Sequence, residues 1–298
     1  MGIMRPVEPA APAEKVWIEG RIVEAQEARV PVFDRGFLYG DSVYEVTRTY
    51  GGVPYALGEH LDQLEGSARR LGMALPPRVE IEQATRETAR AVGGEAYVRI
   101  VVTRGSGPIS LDPGVADAPR LVVIGIPLKL PPEHLYTDGL SVAIVGAKRN
   151  APGGLDPLVK SGNYLNSVLA VAEAHAKGAH EAIMCDNVGR IAEGASFNLF
   201  LVRGRRLITP PLSVGILEGI TRRHVITLAR RQGLAVDEGY LWPVDLLRAD
   251  EAFITSSVRG IMPIASVEGH LIGKGKPGPL TLQLRDLYEK EAAATVGP

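Results

Sequence analysis

The sequence predicts a mixed α+β fold arranged as two alternating α/β halves. Three observations carry that expectation. The chain of 298 residues is long for one hydrophobic core and comfortable for two. Apolar residues make up 45% and charged residues 22%, enough apolar surface to offset the ordering entropy of most of the chain. Short β-patterned runs alternate with amphipathic helical runs along the chain, and no solenoid period is visible.

The elements follow in order. Lys15–Ile18 and Arg21–Val23 alternate around Glu19-Gly20 and predict a hairpin. Ser42–Tyr50 is a β-branched and aromatic strand, closed by Gly51-Gly52, and Val53–Leu57 returns from it. Leu61, Leu64, Ala68 and Leu71 recur at helical spacing up to Gly72; Ile81, Ala84, Thr88 and Ala91 do so up to Gly93-Gly94. Strands are expected at Ala96–Thr103 and Leu121–Pro127, with a Gly/Pro loop at 105–114 between them. Pro127–Asp138, which contains Pro131-Pro132, is the expected linker between a small domain over 15–126 and a large domain over 139–298. Residues 1–14, rich in Pro and Ala, read as a loose arm without the basic-then-apolar order of a secretory signal. In the second half, strands are expected at Leu140–Val145, Glu181–Cys185, Arg190–Ala192, Phe197–Val202 and Glu251–Thr255. Helices are expected from about Ser161 to Gly178, Thr221 to Gly233, from Pro243 and from Leu280.

Composition excludes several function classes. A formal net charge of -1 gives no strong field for nucleic acid or an anionic membrane. Cys185 stands alone, so an internal disulfide is impossible, a cysteine metal site is not expected, and a reducing cytoplasm is the expected compartment. No run approaches the roughly 18 apolar residues of a membrane-spanning helix. Only 8 of the 33 basic residues are lysines, which leaves few candidates for a reactive amine.

Four places can carry chemistry. Lys160 follows the apolar pair Leu158-Val159 at an expected helix start. Desolvation there favours a neutral, nucleophilic amine, whereas a lysine snorkelling at the surface is the plain alternative. Glu193 lies between apolar strands in Ile191-Ala192-Glu193-Gly194. It is either a sheltered carboxylate needing a cation or a turn carboxylate capping amides. Gly219-Ile220-Thr221 opens a helix with free amides and a hydroxyl, an anion site or an ordinary N-cap. Thr255-Ser256-Ser257 at a strand end is a phosphate ligand set or a polar turn.

The order of these features resembles the class IV aminotransferases, the fold-type IV pyridoxal-phosphate enzymes. The resemblance is carried by Lys160-Ser161-Gly162-Asn163-Tyr164-Leu165, Ala192-Glu193-Gly194, Gly219-Ile220-Thr221-Arg222 and the run Asp34–Asp41. It covers almost the whole chain, from about Val16 to Tyr288. It implies a two-domain fold of the D-amino-acid-aminotransferase-like kind, a homodimer, and pyridoxal 5′-phosphate in the large domain. Lys160 would form the internal aldimine and shuttle the substrate α-proton. Glu193 would pair with the pyridine nitrogen, and Tyr164 would donate to the ring O3′. Ile220, Thr221, Ser257 and Val258 would hold the phosphate. One departure stands out. Where the family has a phosphate-binding arginine, three residues after the His of the Glu59-His60 pair, this chain has Gln63. Weaker cofactor retention is expected unless Arg69 or Arg222 substitutes.

For substrate, Tyr44–Arg48, Tyr97-Val98-Arg99 and the loop Arg104–Pro113 resemble branched-chain aminotransferases. Tyr39, Tyr44, Arg48, Tyr97 and Arg99 are the expected substrate residues, with glutamate and 2-oxoglutarate as the second pair. Ile109 and Leu111 stand where D-amino-acid transaminases carry Arg and His, which argues against that specificity. Val46, however, replaces a usual glycine and resembles the D-specific and (R)-amine branches. An aminodeoxychorismate lyase is the third reading; its strand lysine is replaced here by Arg99. A non-catalytic binding protein would have no need of Lys160.

Overall fold

The computed structural model describes residues 13–150 and 153–295, so nearly all of the 1–14 arm, which takes in 1–12, lies outside the described residues. Strands β1 (Lys15–Ile18), β2 (Arg21–Glu24), β3 (Ser42–Tyr50), β4 (Val53–Pro54), β5 (Ala96–Thr103) and β6 (Arg120–Pro127) form the first sheet. It is a six-stranded sheet in the order β2-β1-β6-β5-β3-β4, antiparallel throughout. Hairpin connections and the two helices that follow β4 explain this order, since antiparallel neighbours need no crossover. The short helix α1 (Arg35–Tyr39) precedes β3, with Asp34 accepting from the Gly36 amide as its N-cap. Helices α2 (Leu57–Arg70) and α3 (Arg78–Val92) turn Leu57, Leu61, Leu64 and Ala68, and Ile81, Ala84 and Ala89, into one core. That core meets Val98, Ile100 and Val102 of β5. Their helical spacing supplies the apolar face that the sheet covers.

After α4 (His134–Thr137) the chain enters a second sheet. Its strands are β7 (Leu140–Lys148), β8 (Glu181–Cys185), β9 (Ile191–Gly194), β10 (Asn198–Arg203), β11 (Arg206–Thr209), β12 (Ala235–Glu238), β13 (Glu251–Ser256), β14 (Gly260–Val267) and β15 (His270–Leu271). It is a nine-stranded mixed sheet, ordered β12-β11-β10-β13-β14-β7-β8-β9 with β15 on β14. Helices α5 (Leu165–Ala176), α6 (Ile220–Arg231), α7 (Pro243–Leu247) and α8 (Pro279–Ala294) complete it. Of the three parallel pairs, β7/β8 and β11/β12 are each bridged by a helix, α5 and α6, and β7/β14 is joined through the rest of the sheet. No helix among the described residues is long and apolar enough to cross a membrane.

Two local expectations change. Helix α5 starts at Leu165 rather than near Ser161, because Ser161 bridges to Val43 of β3 and the backbone up to Tyr164 is thereby held out of helix. Ser161, Gly162 and Asn163 are also weak helix formers, so local preference and tertiary pairing agree there. Glu193 sits within β9 rather than in a turn, since that strand extends to Gly194.

Candidate active site

Lys160 belongs to a segment between the two sheets, and its backbone is tied to the first. Its N–H donates to Ser67 Oγ on α2 (3.1 Å), and its carbonyl accepts from the Tyr44 amide of β3 (3.0 Å). The Gly162 amide then donates to the Ser42 carbonyl (3.0 Å). A Cβ at Gly162 would come within 2.3 Å of Ser42 Oγ, so a larger residue here would have to displace that hydroxyl. The side chain is left to the cavity. Nζ lies 4.7 Å from the centre of the Tyr44 ring, and the Arg99 guanidinium carbon lies 4.0 Å from the same centre. Tyr164, capping α5, meets Tyr44 edge-on at 5.5 Å. Burial opposes the Lys160 charge, but the phenol oxygens of Tyr44 and Tyr164 and the Glu45 carboxylate outweigh it and hold the amine above the usual lysine value.

Glu193 is 5% exposed. One of its oxygens pairs with Arg149 (2.7 Å), the other accepts from Asn198 Nδ2 (3.0 Å), and both face the Leu217 amide at 3.2 Å. Burial pushes its carboxyl above the ordinary glutamate range, and Arg149 and the Leu217 amide draw it back. Gly194 is needed beside it, because a Cβ there would fall 2.0 Å from the Phe197 ring.

Glu193 also organises the next part. The Leu217 amide that it binds and the Leu217 carbonyl that accepts from Asn198 (3.0 Å) begin the turn into α6. Gly219 is the N-cap, extended in backbone and without a side-chain cap, so the first amides of α6 are open to a ligand. A Cβ on Gly219 would lie 2.1 Å from Asn198 Oδ1. Ser257 and Val258 occupy the turn between β13 and β14. Thr255 Oγ1, at the end of β13, is buried with no hydrogen-bond partner among the described residues.

These parts open onto one cavity of about 650 Å³. Lys160, Tyr164, Glu193, Ile220, Thr221, Ser257 and Val258 all line it. Tyr44, Val46, Tyr97 and Arg99 line it too, from β3 and β5. Two expected substrate residues do not. Arg48 is buried over the Tyr50 ring, with Nη1 donating to the Val258 carbonyl at 3.5 Å, so it braces the turn rather than facing the cavity. Tyr39 ends α1 outside the lining, with Arg35 over its ring.

Neither arginine expected to replace the missing phosphate partner is in the cavity wall. Arg69 is exposed on α2. Arg222 is buried and committed to Glu238 (2.8 Å) and the Pro210 carbonyl (3.0 Å). Gln63 does line the cavity, and its Nε2 donates to the Glu218 carbonyl (2.7 Å), which props the turn before α6 from the α2 side. Sequence pattern does not single out Arg149, Asn198, Ser67 or Glu45 as site residues. Each acts on a residue far along the chain or across a strand, and no local spacing signals such contacts.

The amino-transferase class IV family pattern matches residues 42–267. A protein of Methanocaldococcus jannaschii with a provisional branched-chain-amino-acid aminotransferase name is 40% identical over 92% of this chain and 95% of that protein. The D-alanine aminotransferase of Bacillus licheniformis is 34% identical over 95% of this chain and all of its own. Among solved structures, the Escherichia coli branched-chain amino acid aminotransferase superposes with a TM-score of 0.89 at 30% identity, covering 96% of this chain and 98% of that one. The Thermobaculum terrenum enzyme of the same name, solved in its PLP form, gives 0.84 at 32%, covering 95% of this chain and 94% of that one. With the fold, the cavity and these matches in agreement over nearly the full length, the chain belongs to the class IV aminotransferases.

Proposed function

We propose that the protein is a pyridoxal-5′-phosphate enzyme that moves an amino group from a branched-chain L-amino acid to a 2-oxo acid such as 2-oxoglutarate. The observation that carries this reading is the shared cavity, with an amine at one wall, a buried carboxylate at another, and open helix amides beside hydroxyls at a third. The donor set fits the cofactor. Thr255 Oγ1 lacks a partner among the described residues, and the α6 amides with Thr221 and Ser257 suit a phosphate. When bound, the cofactor supplies an aldehyde for amine exchange and a ring that accepts an electron pair.

The chain's own residues do the rest. Glu193 would hold negative charge at the ring nitrogen, and Arg149 and Asn198 keep that carboxylate in place. Tyr164, which lines the same cavity, would donate to the ring hydroxyl. Lys160 takes the substrate α-proton on Nζ and returns it. Arg99 and Tyr97 would meet a substrate carboxylate from β5. Exposed Phe37, Ile109, Leu111, Leu165, Val168 and Leu169 support a homodimer, since apolar side chains this exposed favour a covering partner. Tyr39 would then act across that contact. A cytoplasmic setting belongs to the same reading, on the strength of the lone, buried Cys185.

One alternative has a specific observation in its favour. The full-length similarity to a D-alanine aminotransferase, together with Val46 in the cavity wall, supports a D-amino-acid or (R)-amine donor. Against it, Ile109 and Leu111 are apolar and 75% and 84% exposed. Separate half-reactions with L-leucine, L-glutamate, D-alanine and an (R)-amine, followed by cofactor absorbance, decide between them. L-leucine and L-glutamate are expected to react fastest; D-alanine reacting faster would overturn the L-specific reading.

A further inference from the structure

The turn between β13 and β14 carries Arg259 to the cavity wall directly after Ser257 and Val258. The Arg259 side chain leaves this turn and ties it to β8 and to the segment after β9. Nη1 pairs with the Glu181 carboxylate at the start of β8, which β7 separates from β14 in the sheet order. Nη2 donates to Ser196 Oγ in the turn after β9 (3.1 Å), and Nε donates to Ser256 Oγ at the end of β13 (3.3 Å). The guanidinium carbon lies 5.5 Å from the centre of the Phe197 ring. That ring packs against Gly194, the neighbour of Glu193. One planar fork therefore reaches from the turn that bears Ser257 and Val258 to the end of the strand that bears Glu193. The ion pair is largely buried, with side-chain exposures of 15% for Arg259 and 18% for Glu181, so solvent screens it little.

The two ends of this span are held unequally. Glu193 has Arg149, Asn198 and the Leu217 amide of its own. Among the described residues, the other ties to the turn from outside its hairpin are long. Arg48 Nη1 reaches the Val258 carbonyl at 3.5 Å, and the Tyr136 hydroxyl reaches the Arg259 carbonyl at 3.3 Å. Gln63 is neutral, and Glu181 counters the Arg259 charge. Affinity for a phosphate then depends on how firmly the hydroxyls and amides around it are held in place. Thr255, whose Oγ1 is buried without a partner among the described residues, lines the cavity from the same strand end.

We infer that Arg259, paired with Glu181, is a positioning residue that fixes the Ser257-Val258 turn for the cofactor phosphate. The inference rests on the proposed pyridoxal-phosphate chemistry and adds a residue to it. Arg259 acts through the turn, because its donors are engaged by Glu181, Ser196 and Ser256.

The test uses the full chain, stripped of cofactor and titrated by absorbance with pyridoxal 5′-phosphate and, separately, with pyridoxal, which has the same ring and aldehyde but no phosphate. Arg259→Met is expected to weaken pyridoxal 5′-phosphate binding by about tenfold and to leave pyridoxal within about twofold. Glu181→Gln, which keeps Arg259 but removes its ionic partner, shifts the ratio of the two constants the same way by less. Arg259→Lys keeps the charge opposite Glu181 but not the fork, and restores part of the ratio. An Arg259→Met chain that melts earlier yet keeps the parent ratio would overturn the inference and leave Arg259 a structural residue, as would an equal loss for both compounds. If Arg259→Met does not fold, an unmoved ratio in Glu181→Gln overturns it. A parent chain that does not bind pyridoxal 5′-phosphate would instead sink the function reading, so the two failures are distinguishable.

Discussion

The Lys160 side of the cavity is held through its main chain, by hydrogen bonds to β3 and α2, whereas the Glu193 side is held through its side chain, by Arg149, Asn198 and the Leu217 amide. Ser67, Tyr44 and Ser42 fasten the main chain around Lys160 and leave Nζ with contacts to ring faces and phenols. Glu193 has the reverse arrangement: Arg149, Asn198 and the Leu217 amide occupy its oxygens, and the same turn presents the α6 amides. The difference suits what the proposed function asks of each group. An amine that changes partners in every turnover needs a fixed base and a free tip. A carboxylate that is to hold one charge next to a cofactor ring needs its position fixed by donors that leave it room for the ring N–H.

Lys160→Ala removes the free tip and is expected to have the largest effect, a loss of amino-transfer rate of at least on the order of 10²–10⁴-fold. Stopped-flow half-reactions check it; retention of the parent rate would break the contrast at once. Gly219→Ala strikes the other side. Its Cβ would meet Asn198 Oδ1 at 2.1 Å and so displace a donor from Glu193 and from the turn into α6. Cofactor affinity is expected to fall by roughly 10–100-fold, a loss of about 1–3 kcal/mol from one displaced hydrogen-bond group, measured by absorbance titration. Gln63→Arg sharpens the comparison in the opposite sense. Gln63 props the Glu218 carbonyl but brings no charge, so an arginine there is expected to slow pyridoxal-phosphate loss on dialysis by about tenfold.

A smaller effect belongs to the segment ahead of β3. Burial raises the Asp41 carboxyl, but Arg104 (2.8 Å) and Arg35 (3.0 Å) outweigh it and hold it below the usual aspartate value. A depressed carboxylate stabilises the fold above its ordinary, unfolded value of 3.8, and that contribution is lost as pH falls through the folded value. Asp41→Asn is therefore expected to cost about 1–2 kcal/mol at neutral pH, with the gap to the parent closing below about pH 4, as urea midpoints at both conditions would show.

Much of this site is legible in the sequence, and the unread part has a common cause. Lys160, Glu193 and the Gly219–Thr221 start lie in short runs whose residue types match their chemistry. Arg149, Asn198 and Ser67 do not, because each matters through a contact that the fold creates. The helix after Lys160 begins later than expected because Ser161, Gly162 and Asn163 are weak helix formers and Ser161 bridges to Val43. Strand β14 is hard to see because GIMPIASV is largely buried on both faces, so no alternation marks it. The first sheet is easier, since its turns at Glu19-Gly20 and Gly51-Gly52 and the helical faces of α2 and α3 are written locally.

Borohydride reduction of the cofactor-loaded enzyme, followed by peptide mass mapping, tests the central claim most directly. A phosphopyridoxyl label confined to Lys160 among the 8 lysines is the predicted result. A label on another lysine, or a loaded enzyme with Lys160 unmodified, would contradict it.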